Sequence, residues 1–167
     1  MDSLEALTPV SASYARLPVA LAFDWQRASA ELGVGEWYLV AFRSIRRDDA
    51  DEERLMELDS AAHHEASGAP GFVHYFKGPK ADDGSCLSFC LWASRADART
   101  AAGLSAHREA VSVLDEMYTS YTLEFQRVSR SAPDGQLHFE PYDQSPAQPE
   151  PGPALSTPGF DPSLAPA

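Results

Sequence analysis

The stretch WYLVAFRS, Trp37 to Ser44, constrains the fold more than any other part of the chain. Successive strand residues point to opposite faces. Trp37, Leu39 and Ala41 therefore share one face, and Tyr38, Val40 and Phe42 share the other. Both faces are apolar, so this strand belongs in the middle of a sheet that is covered on both sides.

The segments that follow supply the rest of such a sheet. DADEERLMELDSAAHHEA reads as a helix, with Asp49 and Glu52 at capping-box spacing and Leu55, Leu58, Ala62 and Ala66 in one stripe. Ser67-Gly68 and Pro70-Gly71 stop it. FVHYFKG is a second strand and GPKADDGS a hairpin connection with an Asp-Gly turn. CLSFCLWAS is a third strand, with Leu87, Phe89 and Leu91 opposite Cys86, Cys90 and Trp92. Ser94 and Asp97 open a second helix, which breaks at Gly103 and resumes through SAHREAVSVLDEMYTSY. TLEFQRV is the last strand.

The order is β-α-β-β-α-β, a ferredoxin-like α+β fold. Right-handed crossovers give an antiparallel sheet in the order 4-1-3-2, with strand four at an edge. The predicted domain spans 36–130. Residues 1–35 form an N-terminal arm with one short helix over FDWQRASAEL, residues 131–140 a short extension, and residues 141–167 a proline-rich disordered tail. Two helices cover one face of the sheet only. A homodimer packed sheet against sheet would bury the other face, and the arm is the alternative cover.

Composition narrows the function. The net charge of -12 opposes binding to nucleic acid. No apolar stretch has the length of a membrane span, and no signal peptide is read, which predicts a cytoplasmic protein. Cys86 and Cys90 lie about 13 Å apart on a strand, too far for a mutual disulfide. There is no GxSxG, no glycine-rich phosphate loop, and no paired His or Cys motif for a metal.

The chemistry-bearing candidates are few. Helix phase turns His107 inward, in the first turn of a helix that Ser105 could cap. The positive helix end favours its neutral form, which suits a base, a ligand, or a packed core histidine. His63 sits at the rim of its helix stripe, with Asp59 as a candidate partner, whereas His64 faces solvent. His74 shares a strand face with Phe72 and Phe76 and could line a pocket. The aromatic set Trp37, Phe42, Tyr75, Phe76, Phe89, Trp92 and Tyr118 builds either a core or a flat pocket for a planar ligand. Arg43, Lys77 and Arg95 are candidates for holding a carboxylate or oxyanion.

CLWASRADARTAAGLSAHREAV running into YTSYTLEFQRV resembles the second half of dimeric α+β barrel proteins, which include the antibiotic-biosynthesis monooxygenase-like domains. EWYLVAFRS, LDSAAHHEA and FCLWASR…AHREA are similar to an uncharacterised microbial family of that layout. The resemblance implies a homodimer and a monooxygenase-like enzyme for a small apolar aromatic or polyketide-like metabolite. His107 and His63 would be catalytic, and Trp92, His74, Phe76, Arg43 and Tyr118 would bind substrate. In haem-degrading relatives an Ala-His pair early in the second helical segment holds the iron, and Ala106-His107 matches it. Trp92 matches their third-strand tryptophan. Their first-strand asparagine has no counterpart in YLVAFRS, so the resemblance extends to haem binding through His107 and not to haem degradation. A non-catalytic ligand-binding or interaction module is the third reading.

Overall fold

The computed structural model describes residues 4–28 and 32–142. The tail beyond Tyr142, and Ala30 of the expected arm helix, lie outside the described residues. The sheet is antiparallel, in the order β2-β3-β1-β4-β5. Its strands are β1 (Gly35–Arg46), β2 (Phe72–Phe76), β3 (Ser85–Trp92), β4 (Tyr118–Arg130) and β5 (His138–Pro141). The four expected strands keep the expected order. β4 is not an edge, however: HFEP, which runs from the expected extension into the first residue of the expected disordered tail, pairs along it, with Val128 opposite Phe139 and Gln126 opposite Pro141. Pro141 lacks an N–H and is tolerated because β5 is the outer strand.

β1 is central. Tyr38 lies opposite Trp92 on β3, and Val40 lies between Cys90 and Phe125. Helices α3 (Glu52–Ser67), α4 (Arg95–Ala102), α5 (Ser105–Ser112) and α6 (Leu114–Met117) lie on the face of Tyr38, Val40 and Phe42. α3 is capped by Asp51, which accepts the Arg54 amide at 3.0 Å. The expected cap, Asp49, is instead drawn away to the Arg47 guanidinium. Ser94 caps α4 as expected, accepting the Asp97 amide at 3.2 Å. The last helix ends earlier than its apolar pattern suggests, and Tyr118 to Tyr121 are already strand. The Asp-Gly turn is present, with Gly84 at φ +78°, a conformation that favours glycine.

The opposite face carries the larger core, and the N-terminal arm covers it. The arm holds 3₁₀ turns at Leu4–Ala6 and Tyr14–Arg16 and two short helices, α1 (Val19–Ala22) and α2 (Trp25–Ala28). The helix expected from Phe23 begins instead at Trp25, because Phe23 is extended and bridges Pro9, and α1 precedes it. Leu4, Leu7, Tyr14, Val19, Phe23, Trp25 and Leu32 pack on Leu39, Leu87, Phe89, Leu91 and Val128. Polar bonds fasten the arm: the Tyr14 hydroxyl donates to the Pro79 carbonyl at 2.7 Å, and Arg130 donates to the Leu32 carbonyl at 2.6 Å. Of the two covers the sequence allows, the arm lies on this face.

β2 departs from simple alternation. A register shift between Phe72 and His74 puts Phe72 opposite Trp92 and His74 opposite Leu91. Phe72 and Tyr75 therefore face the helices, while His74 and Phe76 face the arm side, with Phe76 stacked on Phe89 at 5.5 Å. His74 and Phe72, expected on one face, are on opposite faces.

Candidate functional site

Between the helices and the sheet lies a cavity of about 460 Å³, within the range of small-molecule sites. Tyr38, Val40, Phe42, Cys90, Trp92, Tyr121 and Phe125 form its floor. Leu55, Leu58, Ala62 and His63 from α3, and His107, Ala110 and Val111 from α5, form its roof. Neither α3 nor α5 has a buried residue, although both turn apolar side chains toward the sheet. The space that would bury them is the cavity itself.

The polar groups fall into three sets. In the first, Tyr75 donates its hydroxyl to Asp59, and the Lys77 ammonium lies 2.8 Å from the same carboxylate. The His63 ring leans on these groups, with its centroid 5.0 Å from that of Tyr75 and 6.0 Å from that of Phe72. Asp59, the partner expected for His63, serves Tyr75 and Lys77. Burial and then the Asp59 charge push the Tyr75 phenol far above its ordinary range, so it stays a neutral donor.

The second set centres on His107. Glu65 of α3 reaches the N-terminus of α5, accepting the Ser105 hydroxyl at 2.9 Å and the Ala106 amide at 2.8 Å. Leu104 is the cap residue, so the capping group comes from another helix and not from Ser105. Desolvation raises the Glu65 carboxyl, but the bonds from Ser105 and the amides of Ala106 and His107 outweigh it and keep it ionised. Burial lowers the His107 pKa below its ordinary 6.5, with the Glu65 charge opposing in part. The imidazole is neutral at pH 7 and faces the cavity.

The third set is the Tyr38 end. Arg95 and Arg99 of α4 line the cavity there; burial raises the Tyr38 phenol, and the nearby Arg95 charge opposes that rise. Tyr142, the last described residue, stands edge-on to Tyr38 at 4.9 Å, with the Arg95 guanidinium 5.3 Å from its ring centre.

Among the residues expected at a site, His107, His63, Trp92 and Tyr118 line the cavity. Trp92 is 4% exposed and meets Phe72 edge-on. Burial raises the Tyr118 phenol, and Arg46 opposes that rise. Arg43, His74 and Phe76 do not line it. Arg43 points to the arm, donating to the carbonyls of Ala15 (2.6 Å) and Leu17 (2.7 Å) and to Glu124. The sheet separates His74 from His63 and His107, and no group of three or more metal-binding side chains gathers among the described residues. Both cysteines are free, on the cavity side; burial pushes the Cys90 thiol up to about 12, which makes it a poor nucleophile. Residues not singled out from sequence include Arg99, Tyr121 and Phe125. The signals were there: Arg99 is four residues from Arg95 on one helix face, and Tyr121 and Phe125 share a strand phase.

A family model described as PB2B2.08-like matches residues 1–141. No curated protein matches the chain in sequence. Several solved structures are similar to part of the chain. SnoaB, a cofactor-independent oxygenase from Streptomyces nogalater, is 15% identical, over 57% of this chain and 93% of its own, with a TM-score of 0.44. Rv0793 from Mycobacterium tuberculosis is 19% identical, over 56% of this chain and 94% of its own, with a TM-score of 0.47. A Nitrosomonas europaea protein provisionally assigned as an antibiotic biosynthesis monooxygenase is 14% identical, over 53% of this chain and 94% of its own, with a TM-score of 0.47. No helix among the described residues is long and apolar enough to cross a membrane.

Proposed function

The chain belongs to the PB2B2.08-like family, and from the cavity between its helices and sheet we propose a monooxygenase-like enzyme for a small, apolar aromatic metabolite. The observation that carries this reading is a cavity of about 460 Å³, walled by aromatic side chains and faced by a neutral histidine. Aromatic walls take a planar polycyclic or polyketide-like molecule by stacking and burial. His107, uncharged at pH 7, accepts a proton from an acidic phenol or a doubly activated methylene. His63, beside the Tyr75–Asp59–Lys77 group, is the second polar contact. The substrate anion then reduces dioxygen. One oxygen atom enters the product and the other leaves as water, and the substrate supplies all the electrons.

Dioxygen uptake with a panel of polycyclic phenols tests the reading. We expect turnover by the wild type and a fall of about 100-fold or more in His107→Ala, with the melting temperature little changed. Turnover that survives His107→Ala alongside a large loss of stability makes His107 a packing residue and overturns its role. Tight binding of the phenols without any oxygen uptake points to the non-catalytic binding module instead.

Haem is a second reading, and it rests on the same ring. A neutral imidazole at the cavity wall is the form that ligates iron, and flat aromatic walls suit a porphyrin. Hemin added to wild type and to His107→Ala separates the readings: a Soret shift that depends on His107 supports haem, and its absence removes it.

A further inference from the structure

Positive charge without a carboxylate partner among the described residues collects at one end of the cavity. The chain has 13 Lys and Arg against 25 Asp and Glu, so acidic partners are plentiful. Nine of the basic side chains, including Arg43, Arg46, Lys77 and Arg127, sit in ion pairs. Arg130 is bonded to carbonyls at Leu32, Pro133 and Gly135. Arg95, Arg99 and Arg108 form no ion pair with a described carboxylate. Arg95 and Arg99 line the cavity, one helical turn apart on α4.

Their position adds to the effect. Arg95 is the first residue of α4, where the helix dipole is positive and disfavours a cation. Asp97 in the same first turn answers the helix end itself, which leaves the two guanidiniums at one mouth of the cavity, near the Tyr38 hydroxyl. Both side chains reach into solvent as well as lining the cavity, so their charge is hydrated when no guest is present, and an anion at the mouth gains two charge-assisted donors. Asp59, the carboxylate among the lining residues, is already held by Tyr75 and Lys77.

We propose that the ligand of this cavity is a planar apolar acid, its ring system against the aromatic floor and its carboxylate held by Arg95 and Arg99 beside the Tyr38 hydroxyl. This deepens the preceding reading and rests on it, since both require that the cavity take an aromatic guest. The geometry separates two tasks. Stacking on Trp92, Phe125 and Tyr121 supplies affinity, and the arginine pair selects charge and orients the ring toward His107.

The test uses 2-naphthoate and its neutral counterpart 2-naphthamide as probes, titrated calorimetrically into the full chain. Wild type is expected to bind the acid about tenfold or more tightly than the amide. The double variant Arg95→Gln/Arg99→Gln is expected to lose that preference while keeping its affinity for the amide, which shows the cavity intact. Arg108→Gln, outside the lining, is expected to change neither. Raising the salt concentration is expected to weaken the acid and spare the amide. Equal binding of acid and amide to wild type, or a preference that survives the double variant, overturns the proposal and leaves the apolar cavity standing. Failure of both probes to bind wild type overturns the proposal and the cavity reading together.

Discussion

Arg43 on β1 and Arg95 on α4 present the same guanidinium to opposite sides of one sheet, and their neighbours decide what each does. Arg43 has two backbone carbonyls and Glu124 around it, and so it is a clasp for the arm. Arg43→Ala leaves those acceptors short of a donor and should cost about 1–3 kcal/mol. A urea titration reads that loss, and 2-naphthamide affinity should be unchanged because the residue is behind the sheet. The sequence could rank neither arginine above the other, nor Lys77 above either. Strand alternation puts Arg43 with Trp37, Leu39 and Ala41, but its acceptors come from Ala15 and Leu17 in an irregular segment with no periodicity to read. His107, by contrast, was legible. Helix phase turned it inward, and nothing in the packing competed with that phase.

At the scale of elements, α5 depends on a neighbour for its start. Its own cap residue, Leu104, has no side-chain acceptor, and Glu65 of α3 supplies one. Glu65→Gln keeps the shape and removes the charge that complements the helix dipole. Faster amide exchange at Ala106 and His107, with α4 unaffected, is the expected outcome. The same end of α5 sets a pH dependence. The folded His107 pKa lies below its ordinary 6.5, so the unfolded chain takes up its proton first as pH falls. Its contribution to stability is complete above 6.5 and is lost as pH drops through the lower, folded value. Unfolding midpoints of wild type and His107→Asn should therefore converge as the pH is lowered from about 8 to about 5. A constant difference would show that the ring titrates alike in both states. Existence and order of the strands and helices followed from periodicity. The register shift in β2 did not, because FVHYF is apolar on either phase, and one extra residue moved His74 and Phe76 away from the cavity. β5 escaped notice because four residues ending in proline carry too little pattern.

On the scale of the whole molecule, the arm and the sheet make one core, and Gly78 marks where they press closest. A Cβ there would overlap the Leu87 carbonyl and the Tyr14 hydroxyl. Gly78→Ala should lower stability by roughly 1–3 kcal/mol, read as a drop in melting temperature. A sheet with two apolar faces was evident in the sequence, but the choice between a second copy and the arm was not. The two covers differ in kind. A partner's sheet comes and goes with protein concentration, whereas a tethered segment is always present at an effective concentration set by its own linker. The floor of the cavity is the other side of that sheet. Its shape should then be insensitive to dilution, and the melting temperature should hold constant over a hundredfold range of protein concentration, as it would not for an obligate dimer. A chain that carries its own cover for this face would keep the shape of the cavity floor when sparsely expressed as well as when abundant.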